Sequence, residues 1–187
     1  MIIFSIDVSG AGWLDELENG VGPAFLSKNA KEKLRIGLSK HVRGVIVERP
    51  YSDKDYRSTY YSHFSKKIPD RGRDCVRVHF FSHFFPVDSR KSDFLDGLAD
   101  QKEFQKHYLG FMVLRPGDIV SIGRTVLDTN AVEGAAGCVL KAEYKVHLLG
   151  MVLKIRGFPF MSQDTEISIC AHVTSWAILR YFSQKFS

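Results

Sequence analysis

Apolar and polar residues recur along this chain with two different periods, and the changes of period mark out its elements. The run "IIFSIDV" at the start is short and apolar and predicts a strand. "AKEKLRIGLSKH" (Ala30 to His41) brings Leu34 and Leu38 to one face and predicts a helix, which Gly37 weakens by roughly 1 kcal/mol. "GVIVERP" is rich in β-branched residues and stops at a proline, as a buried strand does. In "SDKDYRSTYYSHFSKK", Ser52 and Asp55 form an S-x-x-D start signal, and Tyr56, Tyr60 and Phe64 recur at every fourth position along one side of a helix.

"DCVRVHFF" changes to period two. Val76, Val78 and Phe80 point one way, while Cys75, Arg77 and His79 point the other, which predicts a half-buried strand. The stretch from Pro86 to Gln105 is polar, with a weak helix near "FLDGLADQKEF". "YLGFMVLRPGD" predicts a strand ended by a Pro-Gly turn, "IGRTVLD" another strand, and "NAVEGAAG" a loop. "CVLKAEYKVHLLGMVLKIRGFPF" predicts two strands broken near Gly150. The last element is a helix from about Ser168, with Asp164, Thr165 and Ser168 as candidate caps. Its apolar residues, from Ile169 through Val173, Trp176, Ile178 and Leu179 to Phe182, go nearly all round, so the helix is expected to be buried. The fold class is therefore α+β: a mixed sheet with flanking helices over residues 1–157, then a buried C-terminal helix in 158–187. No internal repeat or low-complexity tract interrupts it.

Composition narrows the class. At 187 residues and 44% hydrophobic, the chain can bury a core without covalent staples. Three cysteines, Cys75, Cys138 and Cys170, are odd in number and far apart, which argues against a disulfide framework and for a reducing, cytoplasmic setting. The N-terminus lacks a basic leader and carries Asp7 early, and no apolar run has membrane-spanning length, so neither a secretory signal nor membrane association is expected. The net charge of +5 is spread from Lys28 to Lys185 rather than gathered in a stripe, which allows an acidic partner but argues against nucleic acid.

The closing stretch, "FMSQDTEISICAHVTSWAILRYFSQKFS", carries the most specific chemistry. Cys170 falls in the first turn of the helix, where free N–H groups and the helix dipole favour a thiolate. Gln163, seven positions earlier, offers a side-chain amide that can donate to a developing oxyanion. This stretch resembles the nucleophile segment of papain-like cysteine peptidases and their bacterial relatives, in which an oxyanion Gln and a short loop precede a Cys at the head of a central helix. The resemblance runs from Gly157 to Phe186. It implies that Cys170 is the nucleophile, Gln163 the oxyanion donor, and the substrate an amide or thioester such as a protein or peptide, with no cofactor. The 157 residues before it would form an added N-terminal domain, as in bacterial proteins of this type.

Three departures accompany the resemblance. The Gln-to-Cys spacing is one residue longer than in the papain pattern, and Ala171 follows the Cys where that family has Gly or Trp. The family's His and its Asn or Asp come well downstream of the Cys, so a working dyad is not expected in this chain. His172 lies two positions from Cys170 and points to another side of the helix. A non-enzymatic α+β binding module for an acidic or protein partner is the alternative reading.

Weaker constellations remain. Cys75, His79 and His83 share a parity that hints at zinc, but residues four apart on a strand are separated by about 13 Å, so no metal site is expected and a solvated sheet face is favoured. Tyr56, Tyr60 and the surrounding Lys54, Arg57, Lys66 and Lys67 suggest base stacking, although the spacing fits a core stripe better. Glu48, Asp53 and Asp55 cluster at a strand end and a helix start, where carboxylates suit capping and the dipole. Arg115 and Arg124 offer a phosphate or carboxylate two guanidinium groups, without a glycine-rich loop to help.

Overall fold

The computed structural model describes residues 1–66, 72–91, 100–117, 122–135, 139–162 and 170–186, without the side chains of His63, Cys170, Ala171 and His172. Strands β1 (Ile2–Asp7), β2 (Gly44–Tyr51), β3 (Cys75–Phe81), β4 (Tyr108–Leu114) and β5 (Ile122–Leu127) form one sheet in chain order, antiparallel at every pairing. Helices α1 (Trp13–Val21) and α2 (Lys28–Gly37) fill the β1–β2 connection, and α3 (Lys54–Thr59) and α4 (Gln101–His107) lie in the next two connections. Strands β6 (Ala142–Leu148) and β7 (Met151–Gly157) pair as a hairpin, and α5 (Cys170–Lys185) closes the order. The α+β class is as the sequence pattern indicates. Among the described residues no helix is long and apolar enough to cross a membrane.

Strand parity divides the sheet into two faces with separate cores. One face presents Ile6, Val45, Val47, Val76, Val78, Phe80 and Met112 to Leu14, Leu17 and Val21 of α1 and to Ala30 and Leu34 of α2. The spacing of Leu14, Leu17 and Val21 is that of a helix stripe, but the residue before α1 is Gly12, with no side-chain cap, and α1 had no place in the sequence reading. Helix α2 forms where a helix over Ala30 to His41 is expected, but it starts two residues earlier, with the Ser27 hydroxyl accepting from Ala30 N–H, and ends at Gly37.

The other face carries Ile46, Cys75, Phe81, Phe111, Val113 and Val126. It is covered by Tyr56, Tyr60 and Phe64, by Phe104 of α4, by Tyr144, Val146, Leu148, Leu153 and Ile155 of the hairpin, and by Tyr181 of α5. The prediction of a half-buried β3 with a solvated Cys75–Arg77–His79 face is thereby corrected, because all seven residues of β3 are buried. The physical reason is the hairpin. Its inward residues alternate strictly with Glu143, Lys145 and His147 in water, and its turn places Leu149 (φ 51°) and Gly150 (φ 79°) in the left-handed region that a two-residue hairpin turn requires. Gln105 of α4 holds β7 from the side, donating to the Lys154 carbonyl at 2.9 Å and accepting from Lys154 N–H at 2.7 Å.

Around Tyr56, Tyr60 and Phe64 the expected helix stripe forms, with all three rings buried. Its start is one residue later than the S-x-x-D signal implies. Asp53, not Ser52, is the cap and accepts from Tyr56 N–H at 2.9 Å. After Thr59 the helix widens to a π-helical turn over Tyr60–Phe64.

Candidate functional site

The described span of helix α5 is Cys170–Lys185. Gln163 lies outside the described residues, as do Cys138 and the expected caps Asp164, Thr165 and Ser168; the side chain of Cys170 does too. The expectation of a buried helix holds on one side. Ala177 and Tyr181 are buried, with the Tyr181 ring 5.9 Å from that of Phe158, and Arg180 reaches across to Asp55 at 2.8 Å. On the other side Ile178, Leu179, Phe182 and Phe186 remain in solvent, with Phe182 and Phe186 stacked on each other.

Among the described residues, the weaker constellations weighed from the sequence do not assemble. Cys75 and His79 both point into the core, and among the described residues no three His, Cys, Asp or Glu side chains group as a metal site. Burial pushes the Cys75 thiol far up, helped by the nearby Asp53 carboxylate, so this sulfur is inert. Arg115 and Arg124 do not converge. Arg115 donates to the Ile122 carbonyl at 3.1 Å and to that of Ser162 at 3.4 Å, which ties β5 to the segment after β7. The three carboxylates also part company: Glu48 enters the core, Asp53 caps α3, and Asp55 pairs with Arg180.

The structure instead assembles a polar network that single-residue reasoning did not join. Glu48 and Arg77 are directly opposed across β2 and β3, and His79 lies two positions further along β3 on the same face. Arg77 Nε donates to Glu48 Oε2 at 2.5 Å, and His79 Nε2 lies 2.8 Å from that same oxygen. His79 Nδ1 meets the Tyr108 hydroxyl at 3.0 Å. Arg77 is further held by the His147 carbonyl, at 2.5 Å, and by the face of Tyr51, at 4.2 Å.

One proton arrangement satisfies every member: Tyr108 O–H donates to Nδ1, and Nε2–H and Arg77 both donate to an ionised Glu48. The shifts agree with it. Burial is the largest influence on His79 and holds it below its ordinary value, in the neutral form, although the bond to Glu48 works the other way. Burial works to raise Glu48, but the bonds and charges of His79 and Arg77 outweigh it and leave the carboxyl below its usual range. Tyr108 is pushed well above 10, again by burial, and keeps its proton. This network spans three strands and reaches the hairpin, so its chemistry is that of a lock between sheet and cover. The sequence signal for it was two polar residues of one parity, Arg77 and His79, in an otherwise apolar strand.

Among the described residues, concave features open to solvent at three places, one of them, of about 430 Å³, lined by Phe4, Asn19 and Arg49 beside β1 and α1. An apolar groove of about 440 Å³ lies between α2 and β5, lined by Leu34, Leu38, Leu127, Val132 and Phe160 among others. A smaller cleft of about 110 Å³ lies where α5 meets the sheet and the hairpin, and its lining includes Arg124, Tyr144 and Arg180. Burial, against the pull of Arg180 and Arg124, pushes the Tyr144 hydroxyl up to about 12. No protein-family model matches this chain, no curated protein matches it, and no solved structure matches it.

Proposed function

We propose that this chain carries the nucleophile segment of a papain-like thiol hydrolase on the end of an α+β body. In this reading the Cys170 thiolate attacks an amide or thioester carbonyl carbon, Gln163 donates to the oxyanion, a histidine that this chain does not itself supply passes the thiol proton to the leaving amine or thiol, and water then hydrolyses the acyl-thioester, so this chain alone is inactive. The substrate is a protein or peptide, and the setting is the cytoplasm, where a thiol stays reduced. The observation that supports the reading is that residue 170 is helical and stands at the N-terminal end of the described span of α5, in keeping with a helix expected to start near Ser168. The exposed Ile178, Leu179, Phe182 and Phe186 are in keeping with it, being the side of α5 that a further catalytic layer would cover. His79 is fully buried and committed to Glu48 and Tyr108, so the reading gives it no part in the proton transfer.

Alkylation of the whole chain by iodoacetamide, read peptide by peptide across pH 5 to 9, tests the proposal. Cys170 is expected to react with a half-maximal rate at least about one pH unit below the 8.5 of a free cysteine. Cys75 is the internal control and stays unmodified. A Cys170 profile at or above that of free cysteine overturns the reading.

One observation favours the second reading, a non-enzymatic module for an acidic or protein partner. The apolar groove beside α2 is open, and Lys33 stands at its edge. That reading predicts retention of partner binding after Cys170→Ser, which the hydrolase reading does not require.

A further inference from the structure

The cleft under α5 joins three elements. Arg124 comes from β5, Tyr144 and Lys145 from β6, and Arg180 and Gln184 from α5, with Pro159 closing the rim. Two of its polar atoms are fully shielded from solvent yet have no hydrogen-bond partner among the described residues: the Tyr144 hydroxyl and Arg124 Nε. Tyr144 itself is only 8% exposed. Buried polar groups are nearly always paired, and leaving one unpaired costs about 1–3 kcal/mol.

The surrounding charges do not satisfy Arg124. Its Nη2 lies 3.6 Å from Asp53 Oδ2 and 3.4 Å from the Tyr51 hydroxyl, both longer than a good hydrogen bond. Asp53 caps α3 and Asp55 meets Arg180 through Oδ1 alone, and the Oδ2 of each is buried without a hydrogen-bond partner among the described residues. Three cations, Arg124, Lys145 and Arg180, thus stand against two carboxylates, Asp53 and Asp55, with one positive charge in excess.

The unpartnered Tyr144 hydroxyl and Arg124 Nε can both donate, so the missing partner is an acceptor. Its surroundings are cationic, so the acceptor is an anion. The cleft, at about 110 Å³, has room for one small oxyanion, and any larger group attached to that oxyanion would lie outside it. Donors come from three separate elements, which fits a group with oxygens on several sides better than a planar carboxylate.

We infer that this cleft is a phosphate site, taking inorganic phosphate or the phosphoryl group of a small phosphomonoester, with Arg124, Tyr144 and Arg180 as its principal ligands. The site draws on both the sheet and α5, so an occupant fastens the helix to the body. It stands apart from Cys170 and holds whether or not that residue is a nucleophile.

Calorimetric titration of the whole chain with inorganic phosphate, and separately with phenyl phosphate, provides the test, with sodium acetate at matched ionic strength as the control. Saturable binding of phosphate with no saturable response to acetate is expected. If phenyl phosphate binds at least as tightly as phosphate, the source is a phosphomonoester; if it binds more than tenfold weaker, the source is the free ion. Tyr144→Phe is expected to weaken phosphate at least fivefold. In phosphate-free buffer the same variant should melt no lower than the parent chain, because it removes an unsatisfied hydroxyl and nothing else. Arg124→Gln should weaken phosphate more than tenfold. Absence of saturable phosphate binding, an equal response to acetate, or unchanged affinity in Tyr144→Phe overturns the inference.

Discussion

Replacing Glu48 by Leu isolates the buried network, because the substitution keeps most of the volume and removes the charge. Glu48 is 5% exposed and Arg77 9%, so neither charge has access to solvent as a substitute partner. In Glu48→Leu, Arg77 keeps the His147 carbonyl and the face of Tyr51 but loses the carboxylate bond at 2.5 Å, and His79 Nε2 loses its acceptor. Removing one partner of a buried ion pair costs about 3–5 kcal/mol. Domains are typically stable by about 5–15 kcal/mol, so the loss is a large fraction of the whole. With a urea m-value near about 3 kcal/mol/M for a chain of this size, the midpoint should fall by about 1–1.7 M.

Equilibrium unfolding in urea, followed by circular dichroism, measures that shift. The double variant Glu48→Leu/Arg77→Met removes both charges and should recover most of the loss, leaving about 1–3 kcal/mol for the orphaned His79 N–H. The coupling between the two substitutions should therefore be about 2 kcal/mol or more. A single variant within about 1 kcal/mol of the parent, or a double variant no better than the single, would refute the argument that an unpaired Arg77 is the source of the cost.

Two further outcomes follow from the same core. Both His79 and Glu48 are held below their ordinary values in the folded chain, so the stability they contribute is present above their unfolded values and lost as pH falls through the folded ones. The melting temperature should be flat from pH 8 to 7, decline below the unfolded His value of 6.5, and steepen below 4.5, where Glu48 protonates in the unfolded chain while it is still ionised in the folded one; His79→Gln should remove the first decline, and an unchanged profile in that variant would count against a neutral buried imidazole. At Gly110, φ is +122° and an added methyl would collide with the Val126 carbonyl and lie 2.9 Å from Leu127 Cα, so Gly110→Ala should cost about 3 kcal/mol or more by strain and overpacking together, as read from a chemical denaturation midpoint.

The strands and the α2 and α3 helices were legible because each is specified within its own few residues. Val45, Val47, Val76 and Val78 carry a local period, as do Tyr56, Tyr60 and Phe64, whereas the caps Ser27 and Asp53 were not identified and both helix starts were misplaced. What was illegible depends on register or on cover. The period of β3 was read correctly, yet Arg77 and His79 on one side looked like a wet face. Only the hairpin, some seventy residues later in the chain, closes over them, as the Arg77 bond to the His147 carbonyl records. Glu48 could not be assigned to that side without knowing that it opposes Arg77 in the β2–β3 register. Helix α1 failed for a different reason: its stripe of Leu14, Leu17 and Val21 is present, but Gly12 and Gly20 remove the cap and the propensity that would have drawn attention to it.

Helix α5 shows the limit most clearly, and it also separates the two proposals. With apolar residues nearly all round, nothing in its period chooses which side packs. The choice falls to its polar positions: Arg180 pairs with Asp55, Gln184 lines the cleft, and Tyr181 between them is carried into the core. That leaves Ile178, Leu179 and Phe182 outward by default. Along the helix, Cys170 and Arg180 are ten positions apart, or about 15 Å at 1.5 Å per residue. A bound phosphate at Arg180 is therefore too far away to stabilise a Cys170 thiolate by direct contact, and an unpaired cation there is too distant to activate it through a 10 Å screening length. If phosphate changes the alkylation rate of Cys170, it does so by fastening α5, and Tyr144→Phe should abolish that effect while leaving the phosphate-free rate of Cys170 unchanged. Loss of the thiol reading thus leaves the cleft standing, and loss of the cleft leaves the thiol reading untouched.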